Sequence, residues 1–178
     1  MPQVRAERHV RTDPETAFAF SQTTGTFRLR WDPFISGQRF LDGATRAGKG
    51  VRTRTRSRLG LVMVSEYVSY APPRNVGMTM VSGPWFFENF GGGWRFTADD
   101  GGTRAVWKYT FSCRPALLRP LMERIGTWLL GREIEKRIEA FARACEDPGL
   151  QAGFRELQSR QARETPDGSD RDATSTER

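Results

Sequence analysis

A first β-strand is predicted by the alternation of apolar and polar residues at the start of the chain, whose apolar positions are Val4, Ala6 and Val10. A helix is predicted directly afterwards. Asp13 is a capping residue, Pro14 suits the first helical position, and Glu15 favours the positive end of a helix. Residues 17–20 supply its buried face, and residues 25–34 are predicted as a second short helix or loop.

The pattern from Ser36 to Cys113 is that of β-structure. Its clearest segment is 51–58, where four arginines alternate with Val, Thr and Ser. A strand places these arginines on one face, whereas a helix would scatter them around its axis. Further strands are predicted at 61–70, 76–81, 86–97 and 103–113.

The register of the last predicted hairpin follows from its residues, with 99–102 as the loop. Trp94 then faces Trp107, and Gly92 faces Tyr109. One face carries the aromatic residues Phe90, Trp94, Phe96, Trp107, Tyr109 and Phe111. The other face is mostly polar or basic, and a slip of one residue would mix the two sets. The aromatic face is therefore predicted to point inward.

An earlier hairpin is predicted with Leu59-Gly60 as a two-residue turn. Thr55 then faces Val64 and Thr53 faces Glu66, which puts Val64 and Glu66 on the inward face. A loop longer by one residue would instead turn Glu66 outward and Tyr67 inward.

A long final helix is predicted within residues 115–147. Glu133 and Arg137 are predicted as an i,i+4 pair on its solvent side. Its apolar stripe is predicted to rotate slightly at Gly131 and consists of Leu118, Leu121, Met122, Ile125, Trp128 and Leu129, then Ile134, Ile138, Phe141 and Cys145.

Composition narrows the class of protein. The 178 residues, 37% hydrophobic and 11% aromatic, suit one domain with a core and exclude wholesale disorder. No apolar run approaches the roughly 18 residues of a membrane span, and the charged first residues do not form a signal peptide. Cys113 and Cys145 form no CxxC pair, which is typical of reduced thiols in a cytoplasmic protein.

The chain is predicted to divide into one domain and two C-terminal segments. The domain covers residues 1–147. Residues 148–164 form a weak helical extension, since Leu150, Phe154 and Leu157 share one helical face. Residues 165–178 have no large apolar side chain and are predicted to be a disordered polar tail.

The net charge of +7 suggests a nucleic-acid partner, but its distribution favours another interpretation. Many of the basic residues fall on outward parities of the predicted strands, namely Arg52, Arg54, Arg56, Arg58, Arg95, Arg104 and Lys108. A row of charges on an exposed strand is usually a solvated face that also discourages edge pairing.

Three motifs in order resemble the START-like (SRPBCC) superfamily, which includes polyketide cyclases, lipid-transfer domains and Bet v 1-type proteins. The first is Asp13–Phe18 (DPETAF), similar to the family's Pro-Glu motif after an alternating strand. The second is Trp31–Phe34 (WDPF), and the third is Val68–Arg74, which ends in Pro-Pro-Arg like a strand of the family. The resemblance spans roughly residues 3–147.

The resemblance implies an α+β helix-grip fold. In this fold a strongly curved seven-stranded antiparallel sheet wraps a long C-terminal helix, and two short helices follow the first strand. The sheet and the helix enclose a cavity for apolar or aromatic ligands. The side chains expected to line it are Trp31, Phe34, Val64, Glu66, Phe90, Trp94, Phe96, Trp107, Tyr109, Phe111 and Trp128.

Few polar residues are candidates for chemistry in such a cavity. A carboxylate on an inner face needs a partner, and Arg8 is the natural candidate for Glu66. Tyr109 is a third candidate for moving protons. His9, the only histidine, has outward parity, so no catalytic triad is assembled. Asp32 is interpreted as a turn residue before Pro33.

Three functions follow as hypotheses. The first is a carrier that binds a hydrophobic lipid-, polyketide- or quinone-like molecule in the cavity. The second is a polyketide cyclase or dehydratase that uses the same cavity, with Tyr109, Glu66 or Arg8 as catalytic groups. The third is binding of RNA or the ribosome through the arginine-rich convex face. No metal site or cofactor motif is predicted from the spacing of the ligand-type residues.

Overall fold

The computed structural model describes residues 1–164. Its strands are β1 (Gln3–Val10), β2 (Ile35–Phe40), β3 (Arg52–Ser57), β4 (Val62–Ala71), β5 (Asn75–Ser82), β6 (Phe87–Asp99) and β7 (Gly102–Cys113). Its helices are α1 (Pro14–Ser21), α2 (Gly25–Leu29), α3 (Arg119–Glu146) and α4 (Pro148–Glu164). The predicted polar tail, residues 165–178, lies outside the described residues.

The seven strands form one antiparallel sheet in the order β1-β7-β6-β5-β4-β3-β2. The sheet curls around α3, which packs against β1 and β7, and the short helices α1 and α2 follow β1. This architecture confirms the predicted α+β helix-grip fold. No helix in residues 1–164 is long and apolar enough to cross a bilayer.

Helix α1 begins where its capping residues predict. Asp13 precedes the helix, and its carboxylate accepts a hydrogen bond from the Thr16 N–H at 2.8 Å. This bond satisfies one of the amide groups that a helix leaves unpaired at its start. Phe18 and Phe20 then turn inward and are buried in the core.

The register of the β6–β7 hairpin is confirmed. Trp94 faces Trp107 and Gly92 faces Tyr109. Glycine is required at position 92 because a Cβ atom there would lie 2.7 Å from Cδ1 of Tyr109. The missing side chain therefore makes room for the Tyr109 ring on the concave face of the sheet.

The predicted register of the β3–β4 hairpin is wrong by one residue. Arg52 pairs with Glu66, and the Ser57 N–H donates to the Leu61 carbonyl at 2.8 Å. The loop therefore has three residues, the last of which is Gly60 with φ +84°, as three-residue hairpin loops require. Glu66 turns outward and Tyr67 inward, the alternative that the pattern left open.

Helix α3 divides into two halves with different surroundings. Ile134, Ile138 and Phe141 of its C-terminal half are buried against the sheet, as predicted. The N-terminal half contacts the sheet through Met122 and Leu130, which pack against the cluster that includes Phe111. Other apolar residues of the predicted stripe are partly exposed there, so this half of the stripe is buried only in part. The half-exposed or exposed side chains are Leu118, just before α3, and Leu121, Ile125, Trp128 and Leu129 within it.

Candidate ligand cavity

A cavity of about 540 Å³ lies between the concave face of the sheet and the N-terminal half of α3. Its volume falls in the range of small-molecule pockets, about 300–1,000 Å³. Five of the aromatic side chains that the resemblance implied contribute to its wall: Phe34, Phe90, Trp94, Trp107 and Tyr109. Most of the remaining lining is also apolar.

Two stacked tryptophans contribute to this wall. The rings of Trp94 and Trp107 stack with centroids 4.0 Å apart and an interplanar angle of 25°. Phe90 and Tyr109 continue the surface, with ring centroids 5.3 Å apart. Because Phe96 stacks on Trp94 and the Arg137 guanidinium lies over Trp107, the tryptophan pair offers a ligand apolar aromatic contact without a free stacking face.

Four methionines complete the apolar lining, from β4 (Met63), β5 (Met78 and Met80) and α3 (Met122). Methionine side chains are unbranched and polarizable, so they adapt to ligands of different shapes. Sequence reasoning placed Met122 on the apolar stripe of the last helix but did not single out the other three. Met63 could have been identified from its inward position on β4, but only the correct β3–β4 register shows that position.

The cavity opens to solvent at one end, where side chains are both cavity-lining and exposed. These residues define the open end: Leu59, Leu61, Ile125 and Leu129, with exposed fractions of 83%, 41%, 49% and 53%. They come from the β3–β4 loop and from α3. Their exposure leaves apolar surface at the point where a ligand would enter.

A buried polar cluster lies at another part of the wall and consists of Arg28, Asp32, Arg137 and Tyr109. Asp32 is 1% exposed. Arg137 donates to its two carboxylate oxygens through Nε (3.1 Å) and Nη2 (2.6 Å), and Arg28 Nε donates at 2.9 Å. The Phe34 N–H donates a further bond at 3.1 Å. The carboxylate thus holds both guanidinium groups in fixed positions.

Arg137 also connects the cluster to the aromatic wall. Its Nη1 donates to Tyr109 Oη at 2.7 Å, and its guanidinium lies 4.3 Å from the centroid of the Trp107 ring. Arg28 lies 4.0 Å from the centroid of the Trp31 ring and donates to the Ser21 carbonyl. Stacking on aromatic faces stabilises a guanidinium that has been removed from water.

The electrostatics of the cluster follow from burial and from the two arginines. Burial opposes ionisation of Asp32, but Arg137 and Arg28 outweigh it and hold the pKa of Asp32 below its ordinary value. Burial raises the pKa of Tyr109 against the opposing effect of Arg137, so its hydroxyl stays protonated at neutral pH. Burial likewise raises the pKa of Tyr67 to about 12, opposed by Arg28.

Four aromatic residues that were expected in the wall lie outside it. Trp31 is buried against Phe20 and Phe141. Phe96 stacks behind Trp94, and Phe111 lies in a second core cluster, where it packs against α3. Trp128 is 60% exposed beneath the Arg132 guanidinium, since the face of α3 towards the cavity is rotated away from it.

Val64, Glu66 and Arg8 also lie outside the cavity wall. The corrected hairpin register places Val64 and Glu66 on the convex face, where Glu66 accepts a hydrogen bond from Arg52 at 2.9 Å. Arg8 does not pair with Glu66, because three strands separate β1 from β4 in the sheet. It bonds Glu139 and Glu135 of α3 at 2.9 and 3.0 Å instead.

Arg137 is the functional candidate that sequence reasoning missed. The prediction of a solvent-side Glu133–Arg137 pair is wrong, since Arg137 is buried and bonds Asp32. Asp32 does bond the Phe34 N–H, as a turn residue does, but it also organises the cluster.

His9 is exposed, as its parity predicted, and residues 1–164 contain no group of side chains suited to a metal ion.

Comparison with known proteins agrees with this architecture. The model of the family described as polyketide cyclase / dehydrase and lipid transport matches residues 1–146. The chain belongs to this family. No curated protein matches the chain significantly.

Several solved structures share the fold at low sequence identity. TTHA0849 from Thermus thermophilus is 17% identical, with a TM-score of 0.65 over 80% of this chain and 95% of that chain. A START superfamily protein from Mycobacterium smegmatis is 14% identical, with a TM-score of 0.62 over 79% and 97% of the two chains. Ara h 8.0201 is 13% identical, with a TM-score of 0.57 over 81% and 97%.

Proposed function

We propose that the cavity binds a hydrophobic or aromatic small molecule of lipid-, polyketide- or quinone-like character. The observation that carries this proposal is the lining itself: about 540 Å³ walled by aromatic rings and four methionines, with an apolar opening. Such a lining removes apolar ligand surface from water, which is the main driving force for binding of this kind. The family description is consistent with the proposal.

The test is binding of N-phenyl-1-naphthylamine, a neutral apolar fluorophore that brightens in apolar surroundings. Ser65→Phe is expected to fill the cavity from β4 and to weaken binding at least tenfold, because Ser65 lines it. Val68→Phe is the matched control, since Val68 lies on the same strand and is 48% exposed outside the cavity. Absence of wild-type binding, or equal binding by both variants, would contradict the proposal.

A second candidate is a cyclase or dehydratase that uses the same cavity. The observation that favours it is the Tyr109 hydroxyl, which lies 2.7 Å from Arg137 Nη1 and on the cavity wall. A phenol held beside a guanidinium can donate to a carbonyl oxygen and stabilise an enolate. Tyr109→Phe is then expected to abolish cyclisation of an ortho-hydroxyaryl 1,3-diketone, in which the aryl oxygen adds to the distal ketone carbon and that ketone oxygen leaves as water, while fluorophore binding persists.

A further inference from the structure

The polar cluster carries an excess of positive charge that the protein itself does not fully balance. Arg28 and Arg137 are both buried, both line the cavity, and share the single carboxylate of Asp32. Two positive charges and one negative charge leave one positive charge. Glu133 is the other carboxylate on the cavity wall, but among the described residues both arginines form their ion pairs with Asp32 and neither forms one with Glu133. A buried uncompensated charge favours a partner of opposite sign.

The same part of the wall presents hydroxyl hydrogens without protein acceptors. Tyr67 is 4% exposed and lines the cavity, and its Oη has no hydrogen-bond partner among residues 1–164. Tyr109 Oη accepts the bond from Arg137, so its own hydrogen is left to point elsewhere. Both phenols are therefore donors that still need an acceptor, and both lie within the influence of the guanidinium groups.

The open end is lined by apolar side chains, so it favours an apolar part of a ligand. It is well separated from the polar cluster along α3. Ile125 and Leu129 line the cavity while half-exposed, whereas Arg137 is buried twelve residues beyond Ile125. At 1.5 Å per residue this separation is about 18 Å. A ligand that satisfies both ends must have an anionic, hydrogen-bond-accepting head and an apolar body of comparable length.

We propose that the cavity binds an amphipathic carboxylic acid, with its carboxylate at Tyr67, Tyr109 and the two arginines and its apolar chain towards the open end. This inference rests on the proposed binding function and names the ligand class of that site. A carboxylate provides the missing negative charge and accepts several bonds at once. A neutral ester of the same chain accepts fewer bonds and supplies no charge.

The test is displacement of N-phenyl-1-naphthylamine by hexadecanoic acid and by its methyl ester near neutral pH. Wild-type protein is expected to release the fluorophore at an at least tenfold lower concentration of acid than of ester. Tyr67→Phe is expected to remove most of that preference by weakening the acid alone. Tyr70→Phe is the matched control, since Tyr70 lies on the same strand but outside the cavity wall.

The possible outcomes separate this inference from the proposed function. Fluorophore binding shows at once that each variant is folded and that the cavity accepts an apolar molecule. If the fluorophore binds but acid and ester compete equally, the carboxylate assignment is overturned and the proposed function stands. If Tyr67→Phe weakens acid and ester alike, or leaves the preference intact, the assigned contacts are wrong. If the fluorophore does not bind at all, both proposals fail.

Discussion

The polar cluster and the open end of the cavity reverse the usual distribution of side chains. Arg28, Asp32 and Arg137 are charged yet at most 8% exposed, while Leu59 and Leu129 are apolar yet 83% and 53% exposed. Charged side chains are rarely buried unless they are paired, and in the cluster the single carboxylate of Asp32 pairs with both arginines. At the open end, no side chain in the described part of the chain covers Leu59 and Leu129 enough to remove them from solvent.

This difference separates two kinds of structural requirement. The polar cluster is held together by its own hydrogen bonds, so its geometry belongs to the folded protein whether or not a ligand is present. Leu59 and Leu129 leave apolar surface in water, so their contribution is expected to appear only when a ligand or another apolar surface covers them. Substitutions in the cluster should therefore reduce stability, and those at the open end should reduce binding.

The largest expected effect is that of Asp32→Asn on stability. The substitution leaves Arg28 and Arg137 buried without their shared carboxylate, and breaking a buried pair costs about 3–5 kcal/mol. For a protein of this size we expect Tm to fall by about 10 °C in differential scanning calorimetry. Leu129→Ser at the open end is the comparison and should change Tm by less than about 2 °C. Equal shifts for the two variants would contradict the distinction.

The second effect is that of Leu129→Glu on ligand binding. A carboxylate at the open end replaces apolar contact with a solvated charge, so the affinity for N-phenyl-1-naphthylamine should fall about tenfold while Tm is unchanged. Leu117→Glu is the control, because Leu117 is 90% exposed and lies outside the cavity wall. The open end is misassigned if both variants weaken binding to the same extent.

A third effect concerns acid. The pKa of Asp32 is lower in the folded protein than its ordinary value of 3.8, so its ionisation stabilises the fold above that value. This stabilisation is lost as the pH falls through 3.8 towards the folded pKa. Urea unfolding at pH 6 and pH 3 should show a smaller acid-induced loss for Asp32→Asn than for wild type. An identical loss would show that Asp32 does not contribute to the acid transition.

The smallest effect is expected on the convex face. Arg54 and Arg56 are exposed and form no ion pair among the described residues, so replacing both with Gln should leave fluorophore affinity and Tm unchanged. Gel-shift assays with RNA at low salt test the alternative role of this face. Binding by wild type that falls steeply with salt and is lost in the double variant would favour a nucleic-acid partner.

The fold and five of the eleven residues expected in the cavity wall were predictable because local patterns were unambiguous. Aromatic and basic residues separate so cleanly between the faces of β6 and β7 that only one register keeps them apart. The β3–β4 hairpin lacks this contrast, since Thr53 and Thr55 fit either face. Its register therefore depended on loop length, and a glycine with positive φ at position 60 fits a two-residue turn as well as the three-residue loop that forms.

The polar cluster was not predictable because its bonds connect distant parts of the chain. Arg137 lies four residues after Glu133 on α3, so the local pattern suggested a solvent-side pair. Its true partner, Asp32, is 105 positions away and sits in a motif that also explains it as a turn residue. Only the packing of α3 across the sheet brings these two side chains together.

Methyl NMR of the five methionines tests the central claim most directly. Met63, Met78, Met80 and Met122 line the cavity, whereas Met1 is 72% exposed and lies outside it. Titration of methyl-¹³C-methionine protein with N-phenyl-1-naphthylamine is expected to shift the four cavity signals together and to leave Met1 unchanged. Four unchanged cavity signals, or a shift confined to Met1, would contradict the claim that this cavity binds an apolar ligand.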